Sequence, residues 1–128
     1  MNIVSLGVDV GGSSIKFAPV QVSTGKLLTE IRSVPTPQPM HGEAFLQSIA
    51  DLAAGLAENS AVGVAMPSVV RHGVLHTAAN LDPSVIGMDA EAQLIERLHR
   101  PVSLLNDADA AGLAEVRWGA ARGVRGTV

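Results

Sequence analysis

The 128-residue chain has no cysteine. Disulfide scaffolds, cysteine-ligated zinc sites and thiol catalysis are excluded with it. Aromatic residues are scarce at 2%, with one Trp, two Phe and no Tyr. The core must therefore be aliphatic, and the stacking platforms of many single-strand nucleic-acid binders are missing. Charged residues make up only 16% and hydrophobic residues 47%, the opposite of a disordered composition. The net charge of −3 argues against duplex nucleic acid as a partner, while leaving room for a local basic pocket that takes a small anion. No stretch approaches the ~18 uninterrupted apolar residues of a membrane helix. The segment Met1 to Val10 has no Lys or Arg before its apolar run and contains Asp9, which makes a poor secretory signal. A single cytoplasmic domain, with no membrane and no nucleic acid as partner, is the expectation.

The apolar runs give the element order. Ile3 to Val10 is nearly continuous and suits a strand covered on both faces. Gly11, Gly12, Ser13 and Ser14 interrupt it. Ile15 to Val22 and Lys26 to Val34 follow as two further strands, joined through Ser23-Thr24-Gly25, and such short connections imply an antiparallel meander. Pro35-Thr36-Pro37-Gln38-Pro39 excludes helix and central strand and reads as an extended connector. From Glu43 to Glu58, Phe45, Ile49, Leu52 and Leu56 form one apolar stripe of a helix. Ala61 to Met66 is a fourth strand, and Val69 to Leu75 a small hairpin turning near Gly73. Asp89 caps a second helix over Ala90 to Leu98, with Leu94, Ile95 and Leu98 inward. Val102 to Leu105 is a fifth strand, and Asp107 to Trp118 a third helix. The order βββαβ(hairpin)αβα implies an α/β fold with a mixed five-stranded sheet and helices on its faces. The tail ends at Arg-Gly-Thr-Val, where another β segment starts; the chain reads as one cut inside a longer architecture.

Three segments carry candidate chemistry. In Asp9-Val10-Gly11-Gly12-Ser13-Ser14-Ile15-Lys16, the glycines let backbone N–H groups approach an anion, and Ser13 and Ser14 add donors. Asp9 suits a metal ion beside that phosphate, and Lys16 supplies a cation. The plain alternative is a Gly-Gly hairpin with an Asp near its turn. A Walker A loop is excluded, because a strand follows rather than a helix. In Asn106-Asp107-Ala108-Asp109, polar residues stand at a strand's carboxyl end, where open α/β sheets bind ligands. Asn exchanges hydrogen bonds with a sugar hydroxyl, and Asp takes a hydroxyl proton as general base. Capping of the following helix is the plain alternative. Asn80-Leu81-Asp82-Pro83 forms either a turn or the polar wall of a sugar pocket. His72 and His76 flank Gly73 and read as exposed hairpin histidines rather than a metal pair.

Together these segments resemble the N-terminal lobe of the ROK-family sugar kinases, and most of all the polyphosphate glucokinases within them. The resemblance runs through GVDVGGSSIKFAPVQVSTGKLLTE, RSVPTPQP, VVRHGVLHTAANLD and LLNDADAAGLAEVRWGAARGVRGTV, which is essentially the whole chain. It implies the actin-like, ribonuclease H-like fold, with residues 1–128 as the N-terminal lobe and the C-terminal lobe absent. It also implies transfer of a terminal phosphoryl group from inorganic polyphosphate or ATP to the glucose 6-hydroxyl, with Mg²⁺. By the same resemblance Asp107 is the catalytic base, and Asn106 and Asn80 meet glucose hydroxyls together with Asp107. The resemblance puts Gly11, Gly12, Ser13 and Ser14 on the phosphate-donor loop; by residue type Lys16 and Asp9 join it, with Asp9 as the expected Mg²⁺ ligand, and a homodimer is the expectation for the full-length form.

Two positions depart from the family pattern. Pro67-Ser68 stands where the family has Pro-Gly close to the sugar, so Ser68 reshapes the substrate pocket. Val85 replaces a frequent Trp, which bears on local packing more than on chemistry. Alternative functions are an ATP-only ROK hexose or amino-sugar kinase and a non-catalytic truncated paralogue. A ROK regulator would place a DNA-binding module before the kinase fold, and only eight residues precede Asp9.

Overall fold

The computed structural model describes residues 4–21, 24, 26–56, 60–79 and 81–106. The expected helix over 107–118 lies outside them, as does Asn80. Strand β1, Val4–Val10, pairs antiparallel with β2, Ser14–Gln21. On its other side β1 pairs in parallel with β5, Ala61–Met66, and β5 in parallel with β8, Val102–Asn106. The sheet is mixed, as the element order implies.

The third strand of the meander is not continuous. It divides into β3, Lys26–Leu27, and β4, Arg32–Pro35, both on the outer edge of β2. The sheet thus holds six strand segments in five positions. Pro19 is the physical cause. The Leu28 N–H donates to the Pro19 carbonyl at 3.0 Å, so Pro19 faces this edge. There it has no N–H to return, and the ladder breaks between its two halves.

Register settles which face is which. Leu6 aligns with Val62 and Val102, and Val8 with Val64 and Leu104; all six are buried. On that face sits α1, Gly42–Ala53, burying Phe45, Leu46 and Ile49. Beside it α2, Ala90–Leu98, buries Ala90 and Leu94. Both described helices therefore cover the same face. The apolar stripe of α1 continues as expected, with Leu52 and Leu56 partly buried. The helix itself stops at Ala53, five residues before the expected Glu58. Its last turn tightens, with Ala54 N–H on the Asp51 carbonyl and Leu56 N–H on the Ala53 carbonyl, and Gly55 carries it no further.

At its other end, α1 is capped by His41, whose Nδ1 accepts the Ala44 N–H at 3.3 Å. Asp89 caps α2 through Oδ1 and the Ala92 N–H, as the sequence implies. Of the three residues expected to face inward on α2, Leu94 is fully buried and Leu98 partly, but Ile95 is 42% exposed. Ile95 lies one step of 100° from Leu94, and the covered arc of this two-turn helix is too narrow to include it.

The small hairpin pairs β6, Val70–Arg71, with β7, Val74–Leu75. Its turn residues His72 and Gly73 both have positive φ, 52° and 79°, as a two-residue turn of this hand requires. A β-carbon on Gly73 would also lie 2.7 Å from that of Glu91. The Glu91 carboxylate then reaches the outer edge of β8 and accepts the Leu104 N–H at 3.0 Å. One acidic side chain thereby joins the hairpin turn, α2 and the edge strand.

Candidate active site

Because β1, β5 and β8 are mutually parallel, their carboxyl ends share one edge of the sheet. The Gly-Gly segment leaves β1 at that edge, and Asn106 ends β8 there. β5 lies between them, so the two groups are about 10 Å apart, two strand spacings.

The loop after β1 is a tight hairpin. The Gly11 N–H donates to the Ser14 carbonyl at 2.9 Å. A β-carbon on Gly11 would lie 2.7 Å from that same carbonyl oxygen, so the turn needs glycine here. The loop is anchored from a distance. Thr36 Oγ1 donates to the Gly11 carbonyl at 2.8 Å, Gln38 Nε2 to the Gly12 carbonyl at 2.7 Å, and the Thr36 N–H to the Ser13 carbonyl at 3.0 Å. Three successive carbonyls are thus turned toward the proline-rich connector. Among the described residues, the N–H groups of Gly12 and Ser13 and the hydroxyls of Ser13 and Ser14 have no protein acceptor. Free donors on a braced backbone suit an anion. Thr36 and Gln38 were not singled out in the sequence. Their only signal is two polar residues set among three prolines, and Thr36 is buried.

Asp9 and Lys16 are register partners across β1 and β2. Both are exposed, on the face opposite the helices. Among the described residues no cluster of three or more acidic or histidine side chains is placed to hold a metal ion. The hairpin histidines, His72 and His76, are exposed, as expected. Asp9 is a lone exposed carboxylate beside the loop, the kind of single protein ligand that Mg²⁺ takes next to a phosphate.

On the other side, Asn106 Nδ2 donates to the Ser68 carbonyl at 3.0 Å. This bond orients the side-chain amide, since only the NH₂ end can face a carbonyl. Ser68 is fully buried, and its Oγ has no partner among the described residues. It therefore meets Asn106 through its backbone, not its hydroxyl. Asp107 follows Asn106 directly in sequence. Asp107 and Asn80 both lie outside the described residues.

Asp82 caps the short 3-10 turn Pro83–Val85, accepting the Ser84 N–H at 2.9 Å. Hydrogen bonds from the Ser84 hydroxyl and backbone N–H hold its carboxyl below the ordinary 3.8. Asp82 is therefore occupied within its own turn, the plainer of its two expected roles. Val85, in the same turn, is fully buried.

A cavity of about 400 Å³ lies on the sheet face opposite α1 and α2, and its lining includes Asp9 and Lys16.

Known proteins share both the sequence and the fold. Polyphosphate glucokinase from Mycobacterium tuberculosis (strain CDC 1551 / Oshkosh) is 45% identical over 123 residues, covering 95% of this chain and 46% of the relative. The inorganic polyphosphate/ATP-glucomannokinase of Arthrobacter sp. strain KM is 47% identical. It superposes with a TM-score of 0.85, covering 98% of this chain and 53% of that one. A ROK-family glucokinase from Streptomyces griseus, solved with glucose and AMPPNP, is 30% identical with a TM-score of 0.78, covering 94% and 38%. The chain thus spans between 38% and 53% of the length of these relatives. Its fold is the actin-like one of the ROK sugar kinases. Residues 5–128 match the ROK family throughout, and the chain belongs to that family.

Proposed function

We propose that residues 1–128 form the N-terminal lobe of a glucokinase that uses inorganic polyphosphate, ATP or both. The complete enzyme moves a terminal phosphoryl group to the glucose 6-hydroxyl. One observation carries this reading: a braced, donor-rich loop and an oriented Asn stand on the same carboxyl edge, one strand apart. Phosphoryl transfer depends mostly on positioning and charge neutralisation, and this edge offers a place for each substrate.

In this reading the Gly12 and Ser13 N–H groups and the Ser13 and Ser14 hydroxyls hold the donor phosphate, with Lys16 as a nearby cation. Asp9 would hold Mg²⁺, which supplies charge neutralisation on the phosphate oxygens. Asn106 and Asn80 orient the sugar. Asp107 accepts the 6-hydroxyl proton as that oxygen attacks. A carboxylate is a weak base at neutral pH, so its contribution is to orient the hydroxyl and take the proton late. Both donors are proposed because the mycobacterial relative is named for polyphosphate and the Arthrobacter relative for polyphosphate and ATP. The full-length enzyme is further proposed to be a cytoplasmic homodimer.

The test is glucose 6-phosphate formation by the two-lobed enzyme, with polyphosphate and with ATP, against Asp107→Asn. Loss of kcat by roughly 10²- to 10⁴-fold with KM for glucose retained is expected. An unchanged kcat refutes the role of Asp107, and activity with ATP alone removes polyphosphate as donor.

A further inference from the structure

The hairpin of β6 and β7 is built as one rigid piece. Its base is closed by the His76 N–H on the Val69 carbonyl at 2.8 Å and by the Val69 N–H on Thr77 Oγ1 at 2.9 Å. β7 is tied to the approach to α2, with the Leu75 N–H on the Met88 carbonyl at 3.0 Å and the Gly87 N–H on the Leu75 carbonyl at 2.7 Å. Hairpin and α2 therefore form one body, and β6 lies against β8.

Glu91, in the first turn of α2, joins this body to β8 at the turn end of the hairpin. Its backbone N–H donates to the Gly73 carbonyl at 3.2 Å. Its β-carbon fills the space that a side chain at Gly73 would need. Its carboxylate accepts the Leu104 N–H at 3.0 Å, a charge-assisted bond on an outer strand edge where that donor would otherwise stand unpaired. At the base end, Asn106 Nδ2 donates to the carbonyl of Ser68, the residue before Val69. Leu104 and Asn106 are two residues apart on β8, so their side chains leave the same face and their N–H groups the same edge. The bond to Glu91 thus fixes β8 two residues before the amide that Ser68 orients.

We propose that Glu91 is a positioning residue for the sugar side of the site, acting through Asn106. This role rests on the reading in which Asn106 orients glucose. Without the carboxylate, the turn end of the hairpin parts from β8, and the Ser68 carbonyl and the Asn106 amide lose their fixed relation. The effect should fall on the sugar and spare the phosphate donor, whose loop follows β1, on the far side of β5, and is braced by Thr36 and Gln38.

The test is the kinetics of the two-lobed enzyme with glucose and with the phosphate donor. Glu91→Ala should raise KM for glucose roughly 2- to 30-fold and leave KM for the donor unchanged. Glu91→Gln keeps an acceptor for the Leu104 N–H and should return KM for glucose to the wild-type value. In an Asn106→Ala background, Glu91→Ala should add nothing, since residues that act as a unit are non-additive. In the 128-residue chain, exchange of the Leu104 amide should quicken in Glu91→Ala and not in Glu91→Gln. Glu43→Gln, which releases the ion pair from α1 to Arg97 of α2, should leave KM for glucose unchanged. Should Glu91→Ala fail to fold, Glu91→Asp, one methylene short of Leu104, takes its place. A wild-type KM for glucose in Glu91→Ala beside a raised one in Asn106→Ala overturns the role of Glu91 alone. An unchanged KM in Asn106→Ala overturns the sugar reading of Asn106, and this role with it. An effect of Glu91→Ala that persists in full in the Asn106→Ala background, or an equal rise in Glu43→Gln, makes the loss one of general stability and likewise overturns the role.

Discussion

The side-chain amide of Asn106 donates to the backbone carbonyl of Ser68 at 3.0 Å, tying the end of β8 to the segment that follows β5. Asn106→Ala removes the donor and leaves a buried carbonyl unpaired, which costs about 1–2 kcal/mol. Asn106→Asp is expected to cost more, because it sets a carboxylate oxygen against that carbonyl. Urea unfolding of the three proteins checks the order; an Asp variant as stable as the Ala variant would show that the bond does not orient this side chain.

The Gly11–Ser14 loop, proposed to hold the donor phosphate, is braced by residues far away in sequence. Thr36→Val keeps the shape of the buried side chain but loses its bond to the Gly11 carbonyl, and about 1 kcal/mol of stability with it. Gly11→Ala drives a β-carbon to 2.7 Å from the Ser14 carbonyl and costs about 1–3 kcal/mol. Both variants should also raise KM for the phosphate donor in the two-lobed enzyme more than KM for glucose. Equal increases for both substrates would detach the loop from the donor.

Much of this was legible because local physics and tertiary structure agree. The apolar runs of β1, β5 and β8 announce strands, and Asp89 announces its helix. Among the described residues, however, only the face under α1 and α2 is fully buried, and β1 lacks the cover on both faces that its run led us to expect. Pro19 shows where such reading fails. A proline inside a strand is harmless or disruptive according to the edge its missing N–H faces, and only register tells which. Ile95 fails for a related reason, since a two-turn helix has no margin to define its buried arc. The loop anchors Thr36 and Gln38 act across 25 and 26 residues, and nothing in the local pattern at Gly11 points to them. The tight turn at Gly11 could be read, because two adjacent glycines followed by two serines restrict the backbone to few conformations.

Glu43 on α1 and Arg97 on α2 form a two-pronged ion pair, with both contacts at 3.0 Å. The Arg97 hydrogen bond holds the Glu43 carboxyl below the ordinary 4.5. A carboxyl whose folded pKa is depressed contributes stability above its unfolded value, and that contribution disappears as pH falls through the lowered folded value. Wild type should therefore exceed Glu43→Gln in stability at pH 7, and the gap should close on acidification below about pH 4.5. The pair is exposed, so 1 M salt should narrow the gap too. Thermal melts of both proteins across pH and salt check this; a gap that widened in acid would reverse the assignment.

If the sugar and the donor meet between two lobes, one lobe must be a poor catalyst. An actin-like kinase closes its cleft around the substrates, and that closure excludes water and completes the charge-neutralising set. In the proposed reading, the braced loop and Asn106 form one wall of such a cleft. With about half the length of its relatives, the 128-residue chain is expected to form no glucose 6-phosphate from polyphosphate or ATP above an Asp107→Ala control. The comparison with that control matters, because a trace of contaminating kinase would give equal rates in both proteins. A rate in the wild-type chain that disappears in Asp107→Ala would mean that this lobe alone assembles donor, sugar and base, and the two-lobe requirement would have to be given up.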